Sequence, residues 1–397
     1  MSFLFNTHNR SPLCFTHGEG VYLFDKNKNK YLDYAAGIAV NSLGHCNQQV
    51  NNALVKQANR LWHVSNLYTI DEAEEFAQKM CEKTFADKVF FCNSGAEAVE
   101  CVIKSIRRYF YVNSKPHKNR IITFKNSFHG RTIATLCASA NAKYMEGFAP
   151  HLEGFDSIEC GDIELVKKTI TQQTAGIIIE PVQGEGGVNF VGIKFLEDLR
   201  KLCNENDILL AFDEVQCGMG RTGKLFAYQH TSIEPDLIAF AKGIANGFPL
   251  GGCLATNKAA SGITIGTHGT TYGSNPLAMA VGMEVFDTIS QEAFLQEVSN
   301  QATYLNARMQ LITDSYPEFF TSIKGLGLMR GFECTDALKP QDFVAKAREN
   351  NLLLATAGSN VIRLLPPLII TKDNSDEFAE KFVKTLAFFK GASPYTP

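Results

Sequence analysis

The strongest constraint on the fold is a rhythm of short apolar runs that begins near Lys88. Each run is bounded by Gly, Asn or acidic residues, and segments long enough for a helix separate the runs. The clearest are Val89–Phe91, Ile121–Phe124, Ala175–Ile179, Ile208–Phe212 and Leu237–Phe240. Buried strands that alternate with crossover helices are typical of a mostly parallel sheet covered on both faces. The pattern therefore predicts an α/β fold, with ligands at the carboxyl ends of the strands.

The flanking segments follow other patterns and indicate further parts. Val21–Asp33 is typical of a hairpin, and Gln48–Leu61 has helical spacing of its apolar residues. We predict a strand at Val361–Leu365 and a last helix that begins near Asn374, with Glu377 completing a capping box. We therefore expect a large domain, a smaller α+β domain at the C-terminus, and an N-terminal segment that packs with the smaller domain. In chain order, the N-terminal segment, large domain and small domain are expected at 1–46, 47–287 and 288–397.

Charge and cysteine content exclude several classes of protein. The chain has 397 residues and a net charge of −3, which does not point to nucleic acid or an anionic membrane, since both need a basic face. Its 11 cysteines are odd in number and contain no Cys-x-x-Cys pair, so we expect reduced thiols of a cytoplasmic protein and no metal site. No signal peptide is apparent, and no apolar run approaches the ~20 residues that a membrane span needs.

One glycine-rich motif suggests a nucleotide site, but its context does not support one. Gly218–Gly223 matches G-x-G-x-x-G, which binds dinucleotides when it directly follows a strand and opens a helix. Here Asp213–Cys217 intervenes, and the acidic residue expected about 20 positions further on is missing. We interpret the motif as a glycine-rich surface loop, and keep a nicotinamide-dependent oxidoreductase only as a remote alternative.

Two polar clusters follow the first two apolar runs. Asn93–Glu97 is a small turn at a predicted helix start, where backbone N–H groups and the helix dipole bind phosphate. In Ser127–Arg131, the ring of Phe128 could stack on a planar cofactor and Arg131 could bind a carboxylate. Taken alone, the first cluster is more typical of an ordinary capped turn, and the second of a core phenylalanine and a surface arginine.

Two further clusters supply an acid and an amine. Asp213–Gln216 follows a buried strand, where a carboxylate needs a cationic partner such as a protonated pyridine nitrogen. Lys242 directly follows another apolar strand, and burial would keep its amine nucleophilic. Singly, these would be a helix-capping aspartate and a solvated lysine. Together, a phosphate-binding turn, an aromatic ring, an acid and a buried lysine are the parts of a pyridoxal phosphate site.

Longer motifs extend this interpretation to a family. The segments are YLDYAAGIAVNSLGH, FFCNSGAEAVE, FHGRT, IIIEPVQGEGG, DEVQCGMGRTGKLFAYQH, PDLIAFAKGIANGFPLGGCLAT and GTHGTTYGSNPLA. Across almost its whole length the chain resembles the class III aminotransferases. The resemblance implies the type I fold of pyridoxal-phosphate enzymes, with a mainly parallel seven-stranded sheet in a large domain and a smaller second domain. It also implies a homodimer with active sites at the subunit interface.

The resemblance implies a role for each residue around pyridoxal 5'-phosphate. Lys242 would form the Schiff base, Asp213 would pair with the ring nitrogen, and Gln216 would reach the phenolic oxygen. Val215 and Phe128 would lie on the two faces of the ring. Four residues would hold the phosphate, the last of them from the other subunit: Ser94, Gly95, Ala96 and Thr271.

The same resemblance implies how two substrates share one site. Arg131 would bind a carboxylate remote from the reacting carbon, and Arg363 would bind the α-carboxylate of glutamate. Glu185 resembles the acid that pairs with this arginine when the ω-amino substrate is bound, and Thr270 would lie near the substrate. Transfer to 2-oxoglutarate would then follow ping-pong kinetics.

The amine donor depends on finer features. Ile38 stands where ornithine aminotransferases carry a tyrosine, which argues against free ornithine and for an acylated amine. The motifs resemble the acetylornithine subgroup most, so N2-acetylornithine is the expected donor, and succinyldiaminopimelate is not separated from it. Ser274 and Asn246 depart from the glycines frequent in that subgroup and put only loop geometry in doubt. The alternatives are a 4-aminobutyrate or ornithine aminotransferase, an aminomutase, and a non-catalytic binding protein of the same fold.

Overall fold

The structure is a computed structural model that describes residues 3–390. Its strands are β1 Phe15–Glu19, β2 Tyr22–Asp25, β3 Lys30–Asp33, β4 Lys88–Cys92, β5 Arg120–Phe124, β6 Phe155–Ile158, β7 Thr174–Ile179, β8 Val182–Gln183, β9 Asn189–Phe190, β10 Leu209–Asp213, β11 Leu237–Phe240, β12 Gly251–Ala255, β13 Phe320–Leu326, β14 Met329–Cys334, β15 Leu352–Leu353, β16 Ala355–Ala357 and β17 Val361–Leu364. Its α-helices are α1 Ala36–Ala39, α2 Gln48–Ala58, α3 Asp71–Lys83, α4 Gly95–Val112, α5 Ile133–Ser139, α6 Ala142–Met145, α7 Ile163–Thr169, α8 Ile193–Glu205, α9 Asn257–Ala260, α10 Pro276–Ile289, α11 Glu292–Ser315, α12 Pro340–Glu349 and α13 Lys372–Lys390.

A seven-stranded sheet forms the centre of the molecule, in the order β4-β12-β11-β10-β7-β5-β6. β12 runs antiparallel to both of its neighbours, and the other neighbouring pairs are parallel. Each predicted apolar run lies in one of these strands, with its ends shifted by a residue at most. The predicted α/β fold with a mainly parallel seven-stranded sheet is therefore confirmed.

Both faces of the central sheet are buried, which explains why its strands are apolar throughout. In β10, Leu210 and Phe212 belong to one apolar core, and Leu209 and Ala211 belong to a second core on the opposite face. The side chains of a strand alternate between faces, so a strand covered on both sides cannot show the polar alternation of a half-exposed one. Helix α4 covers one face and contributes Ile106 to the second core.

The C-terminal part has its own antiparallel sheet, in the order β13-β14-β17-β16. Helix α13 packs there through Phe382, whose ring stacks on Phe332 of β14 with centroids 4.7 Å apart. The N-terminal strands form another sheet, β1-β2-β3-β15, whose last strand comes from the C-terminal part. Leu352 of β15 lies opposite Leu32 of β3, so the two ends of the chain share a sheet. Of the expected domain ranges, residues 1–2 and 391–397 lie outside the described part.

Two helix predictions are wrong at their ends. Helix α2 stops at Ala58, because the chain turns there, and Leu61 is exposed rather than packed on its apolar face. Helix α13 begins at Lys372, before the predicted start near Asn374. Thr371 and Asn374 form the reciprocal hydrogen bonds of its capping box, so Asn374 already occupies the third helical position. Glu377 instead accepts a hydrogen bond of 2.7 Å from the hydroxyl of Tyr22.

The Gly218–Gly223 loop is buried, and its interpretation as a surface loop is wrong. Arg221 is only 1% exposed and donates hydrogen bonds to the carbonyls of Leu328 and Pro366, from the C-terminal part of the chain. The loop therefore fills the space between the central sheet and the C-terminal part, where a dinucleotide could not approach it. Within residues 3–390, no helix combines the length and apolar character needed to cross a membrane.

Candidate active site

A cavity of about 380 Å³ opens where the carboxyl ends of β5, β7, β10 and β11 meet. This is the edge of a parallel sheet where ligands are expected. Most of the predicted site residues line it, although they lie far apart in the sequence. They are Ser94, Gly95, Ala96, Phe128, Arg131, Asp213, Val215, Gln216 and Lys242.

The start of helix α4 forms one end of the cavity. Ser94 is its N-cap, and the Ser94 hydroxyl accepts a hydrogen bond of 3.2 Å from the N–H of Glu97. The N–H groups of Gly95 and Ala96 precede the first amides that a helix can pair internally, so they are available to an anion. A side chain at Gly95 would lie 2.7 Å from Cγ1 of Val215, so only glycine lets the helix approach the opposite wall.

Apolar side chains and one stacked arginine form the walls of the cavity. Val215 and Phe128 both line it, as the resemblance implies for the two faces of a ring. The guanidinium of Arg131 lies 3.8 Å from the centroid of Tyr144 and 5.4 Å from that of Phe128. Stacking on two aromatic rings fixes the direction of this cation at the cavity wall. Tyr144 was not singled out from the sequence, because nothing in its neighbourhood predicts this contact.

Asp213 at the end of β10 already has one buried partner. Its Oδ2 atom lies 2.7 Å from Nδ1 of His129, and both side chains are almost fully buried. Its Oδ1 atom accepts from the N–H of Val215. Burial lowers the pKa of His129, but the hydrogen bond and charge of Asp213, helped by Glu180, outweigh this effect and raise it. An imidazolium at this position would place a positive charge against the Asp213 carboxyl group at the cavity wall.

A second buried carboxyl group, Glu180, joins two loops of the site. It accepts hydrogen bonds from the N–H groups of Phe128, at 2.7 Å, and of Gly184, at 3.2 Å. Burial and the nearby charge of Asp213 raise the pKa of Glu180 to about 7, against the lowering effects of His129 and of these two hydrogen bonds. Sequence reasoning missed both His129 and Glu180. The available signal was their position, because each is a titratable residue at the end of a buried strand or in the turn after it.

Lys242 follows β11 after one intervening residue, Ala241, and lines the cavity. Burial lowers the pKa of its amine, and the charge of Arg363 lowers it further. A lysine with a depressed pKa spends more time as the neutral amine, which is the nucleophilic and basic form. The backbone of Lys242 adopts a φ of 48°, an uncommon conformation for a residue with a side chain.

Arg363 and Glu185 form an ion pair beside the cavity. Nη1 of Arg363 lies 2.6 Å from Oε1 of Glu185 and 3.2 Å from Oε1 of Gln216, which connects the pair to the cavity wall. Arg363 is 3% exposed, whereas the Glu185 side chain is 32% exposed. Glu185 can therefore move toward solvent more readily than Arg363, which would leave a buried cation in place for another carboxylate.

The remaining predicted residues lie around the cavity but do not line it. Thr270 accepts a hydrogen bond of 3.1 Å from Nδ2 of Asn93, next to the start of α4. Thr271 is exposed and makes no contact with the cavity of its own chain. Ile38 packs against a core cluster near Val182, and it is Val40, two residues on, that reaches the cavity wall.

The donor set fits the pyridoxal phosphate that the motifs imply. Paired amides at a helix start suit a phosphate, and the Asp213 carboxylate suits a cationic ring nitrogen. The apolar walls suit a flat aromatic ring, and an amine of depressed pKa suits an aldehyde. No group of three or more His, Cys, Asp or Glu side chains within residues 3–390 is arranged to hold a metal ion.

Comparisons with known proteins identify the family of the chain. The family model described as Aminotransferase class-III matches residues 5–386. The acetylornithine aminotransferase of Agrobacterium fabrum is 51% identical over 94% of this chain and 93% of its own. The crystal structure of N-acetylornithine aminotransferase from Stenotrophomonas maltophilia matches with a TM-score of 0.85 and 32% identity, covering 97% and 98% of the two chains. An ornithine aminotransferase structure from Toxoplasma gondii matches with a TM-score of 0.93 and 30% identity, over 98% and 94%.

Proposed function

Because the chain belongs to the class III aminotransferase family, we propose that it transfers the δ-amino group of N2-acetyl-L-ornithine to 2-oxoglutarate. The products are N-acetyl-L-glutamate 5-semialdehyde and L-glutamate, a step of arginine biosynthesis. The observation that carries the proposal is the meeting of the Lys242 amine and the buried Asp213 in one cavity, with the Arg363–Glu185 pair beside it. Support for the donor comes from relatives named acetylornithine aminotransferase, two of which are 51% identical to this chain in sequence.

The enzyme uses pyridoxal 5'-phosphate, which when bound supplies an electron sink for the charge left on a carbon that loses a proton. We assign its phosphate to the amides of Gly95 and Ala96 with the Ser94 turn, and its ring faces to Val215 and Phe128. Asp213, held by His129, would keep the ring nitrogen protonated. Gln216 would donate through Nε2 to the ring oxygen, since its Oε1 already accepts from Arg363.

Lys242 carries the proton in this mechanism. Its Nζ atom, with a pKa depressed by burial, takes a proton from the substrate carbon that bears the amine and delivers it elsewhere at the site. Apolar side chains such as Phe128 and Val215 line part of the cavity and limit exchange of this proton with bulk water. Because the amino group is stored on the enzyme between the two substrates, the kinetics are ping-pong.

The Arg363–Glu185 pair lets one site accept two kinds of substrate. With acetylornithine, whose reacting amine is remote from its carboxylate, Glu185 neutralises Arg363 and Arg131 binds the distant carboxylate. With glutamate or 2-oxoglutarate, Glu185 moves aside and Arg363 binds the α-carboxylate. Thr270, which accepts a hydrogen bond from Asn93 next to the start of α4, is assigned a place near the substrate.

A panel of amine donors tests the proposed substrate. With 2-oxoglutarate as acceptor, we expect N2-acetylornithine to exceed ornithine by at least about tenfold in kcat/KM, about 1.4 kcal/mol. The reason is that Ile38 occupies the position of the tyrosine that holds the free α-amino group of ornithine in ornithine aminotransferases. Glutamate formation measures each rate, and the panel includes N-succinyl-LL-2,6-diaminopimelate and 4-aminobutyrate. Equal rates with acetylornithine and ornithine would contradict this interpretation of Ile38.

We further propose a homodimer whose two subunits complete each other's sites. Large apolar side chains are exposed in two segments of the chain, residues 62–68 and 265–272. They are Trp62, Leu67, Tyr68, Ile265 and Tyr272. Asn66 ties their two segments into one surface by donating to the carbonyls of Thr270 and Gly273, both at 3.1 Å. A patch of this kind is typical of a protein interface, and it would present Thr271 to the partner's phosphate site.

Breaking this surface should separate the subunits. We expect the wild-type protein to sediment at about twice its monomer mass, and Ile265→Glu to sediment as a monomer, because a charge at a dry interface is costly to bury. Leu311→Glu, at an exposed apolar position on α11, is the matched control and should stay dimeric. If Ile265→Glu remains a dimer as stable as the wild-type dimer, the interface lies elsewhere.

We also propose a cytoplasmic location and the division of the chain into an N-terminal segment, a large domain and a small domain. All eleven cysteines are free thiols, which supports a reducing compartment. The separate antiparallel sheet after α11, and the pairing of β15 with β3, support the division and the packing of the N-terminal segment with the small domain.

A further inference from the structure

The side chain of Arg131, at the wall of the active-site cavity, is held by aromatic rings and not by hydrogen bonds. Its guanidinium carbon lies 3.8 Å from the centroid of the Tyr144 ring and 5.4 Å from that of Phe128. Within the part of the chain that the structure describes, its N–H groups make no hydrogen bond or ion pair with another residue. All five donors of the guanidinium are therefore free for a ligand that enters the cavity.

The two aromatic rings also contact each other. Phe128 and Tyr144 meet edge to face, with ring centroids 6.1 Å apart and an angle of 87° between the ring planes. This arrangement is favoured between aromatic side chains and gives the pair a defined geometry. Phe128 lines the cavity, where it is proposed to cover the cofactor ring, whereas Tyr144 is not part of the cavity wall. Tyr144 can therefore act on a substrate through Arg131 without occupying any of the space that the substrate needs.

The backbone holds both members of this cation–ring contact in place. Tyr144 lies in α6, and its N–H donates a hydrogen bond of 2.9 Å to the carbonyl of Asn141, the N-cap of that helix. Arg131 immediately precedes Thr132, the N-cap of α5, whose N–H donates to the Thr135 hydroxyl at 3.0 Å. Helix α5 therefore fixes where the Arg131 side chain begins, and the aromatic rings fix where its guanidinium lies.

We propose that Tyr144 is a positioning residue that sets substrate specificity, because it orients Arg131 for a carboxylate remote from the reacting amine. This role rests on the proposed function, in which Arg131 binds that carboxylate. An unrestrained arginine would lose the rotamer freedom of its long side chain each time a carboxylate binds. The ring of Tyr144 restricts that freedom beforehand, and it leaves the N–H groups of Arg131 available for a bidentate contact.

The consequence is a discrimination between amines that carry this carboxylate and amines that lack it. N2-acetylornithine carries it, and N-acetyl-1,4-diaminobutane is the same molecule with hydrogen in its place. Loss of the Tyr144 ring should weaken only the reaction of the first amine, because the reacting amine and the acetyl group are the same in both. A residue that merely supported folding would lower the two rates alike.

Three variants of the holoenzyme, assayed with this pair of amines, test the role of Tyr144. In Tyr144→Ala, we expect kcat/KM for N2-acetylornithine to fall by about tenfold, chiefly through KM, as for the loss of a cation–π contact at a partly desolvated site. The value for N-acetyl-1,4-diaminobutane should change by less than about twofold. Tyr144→Phe keeps the ring and should match wild type with both amines. Tyr111→Ala, which removes an exposed tyrosine beside Arg108 on α4, is the matched control and should also match wild type.

A binding measurement gives a readout that does not depend on turnover. Calorimetry with N-acetyl-L-norvaline, which is acetylornithine without its reacting amine, should give a Kd about tenfold weaker for Tyr144→Ala than for wild type. Equal losses with the two amines, or an unchanged kcat/KM for N2-acetylornithine, would overturn this role of Tyr144 and leave the proposed donor intact. If wild type does not use N2-acetylornithine, the proposed function fails instead. L-Glutamate and L-2-aminobutyrate, which lacks the remote carboxylate, then make the same comparison for Tyr144→Ala.

Discussion

Replacing Lys242 with alanine should lower kcat by about 10²- to 10⁴-fold, the range that a positioned acid–base group supplies. Its amine, with a pKa depressed by burial, is the base proposed to move the proton at the substrate carbon. The Lys242→Arg variant should fail almost as badly, because a guanidinium does not give up its proton. Glutamate formation from acetylornithine and 2-oxoglutarate measures the loss.

A second measurement separates lost chemistry from lost folding. Wild-type protein treated with borohydride should retain the cofactor covalently on the peptide that contains Lys242, and Lys242→Ala should release it on denaturation. Lys224→Ala, which removes an exposed lysine outside the cavity, is the control and should match wild type in both measurements. Activity of Lys242→Ala within tenfold of wild type would refute the assignment of this lysine.

Replacing Arg363 with alanine should divide the two half-reactions. We expect kcat/KM for 2-oxoglutarate to fall by about 10²- to 10³-fold, or about 3–4 kcal/mol, as when one partner of a buried charge pair is removed. The amine half-reaction with acetylornithine should fall by less than about tenfold, because Glu185 already neutralises Arg363 in that state. Stopped-flow absorbance of the cofactor follows each half-reaction alone.

The reciprocal variant tests the same pair from the other side. Glu185→Gln leaves a buried arginine without its counter-charge. We therefore expect kcat/KM to fall more for the half-reaction with acetylornithine than for the half-reaction with glutamate. Arg308→Ala, in which the surface pair with Asp376 is broken, is the control and should leave both half-reactions unchanged. Equal losses in both half-reactions for Arg363→Ala would defeat the switch model.

Local sequence patterns predicted five strands of the central sheet and several residues of the cavity wall, but not the strands β6 and β12. A short apolar run such as β10, which is buried on both faces, is typical of a central strand of a parallel sheet. Residues at the carboxyl end of such a strand lie at the edge of the sheet where ligands bind. This logic located Asp213 and Lys242, and the turn at Gly95 followed from the same rule applied to a helix start. Each of these predictions depends on residues within a few positions of one another.

The features that escaped prediction depend on contacts between distant segments. The partner of Asp213 is His129, 84 positions earlier in the chain, and no local pattern relates the two. Arg221 is buried because it donates to the carbonyls of Leu328 and Pro366. These residues lie 107 and 145 positions later in the chain, so the sequence of the glycine-rich loop does not indicate this contact. The predicted start of α13 was wrong because an asparagine is suited both to the N-cap position and to the third helical position of a capping box. Asn374 occupies the third position.

The strand β15 also dictates when the enzyme can finish folding during synthesis. The hairpin β2–β3 leaves the ribosome among the first segments, yet the edge of β3 that Leu352 and Leu353 will occupy stays open until almost the entire polypeptide has been made. An exposed strand edge is a template for pairing with other chains. We therefore expect the N-terminal strands of the nascent chain to depend on chaperones. Premature termination before β15 would yield an aggregation-prone fragment rather than a smaller stable protein.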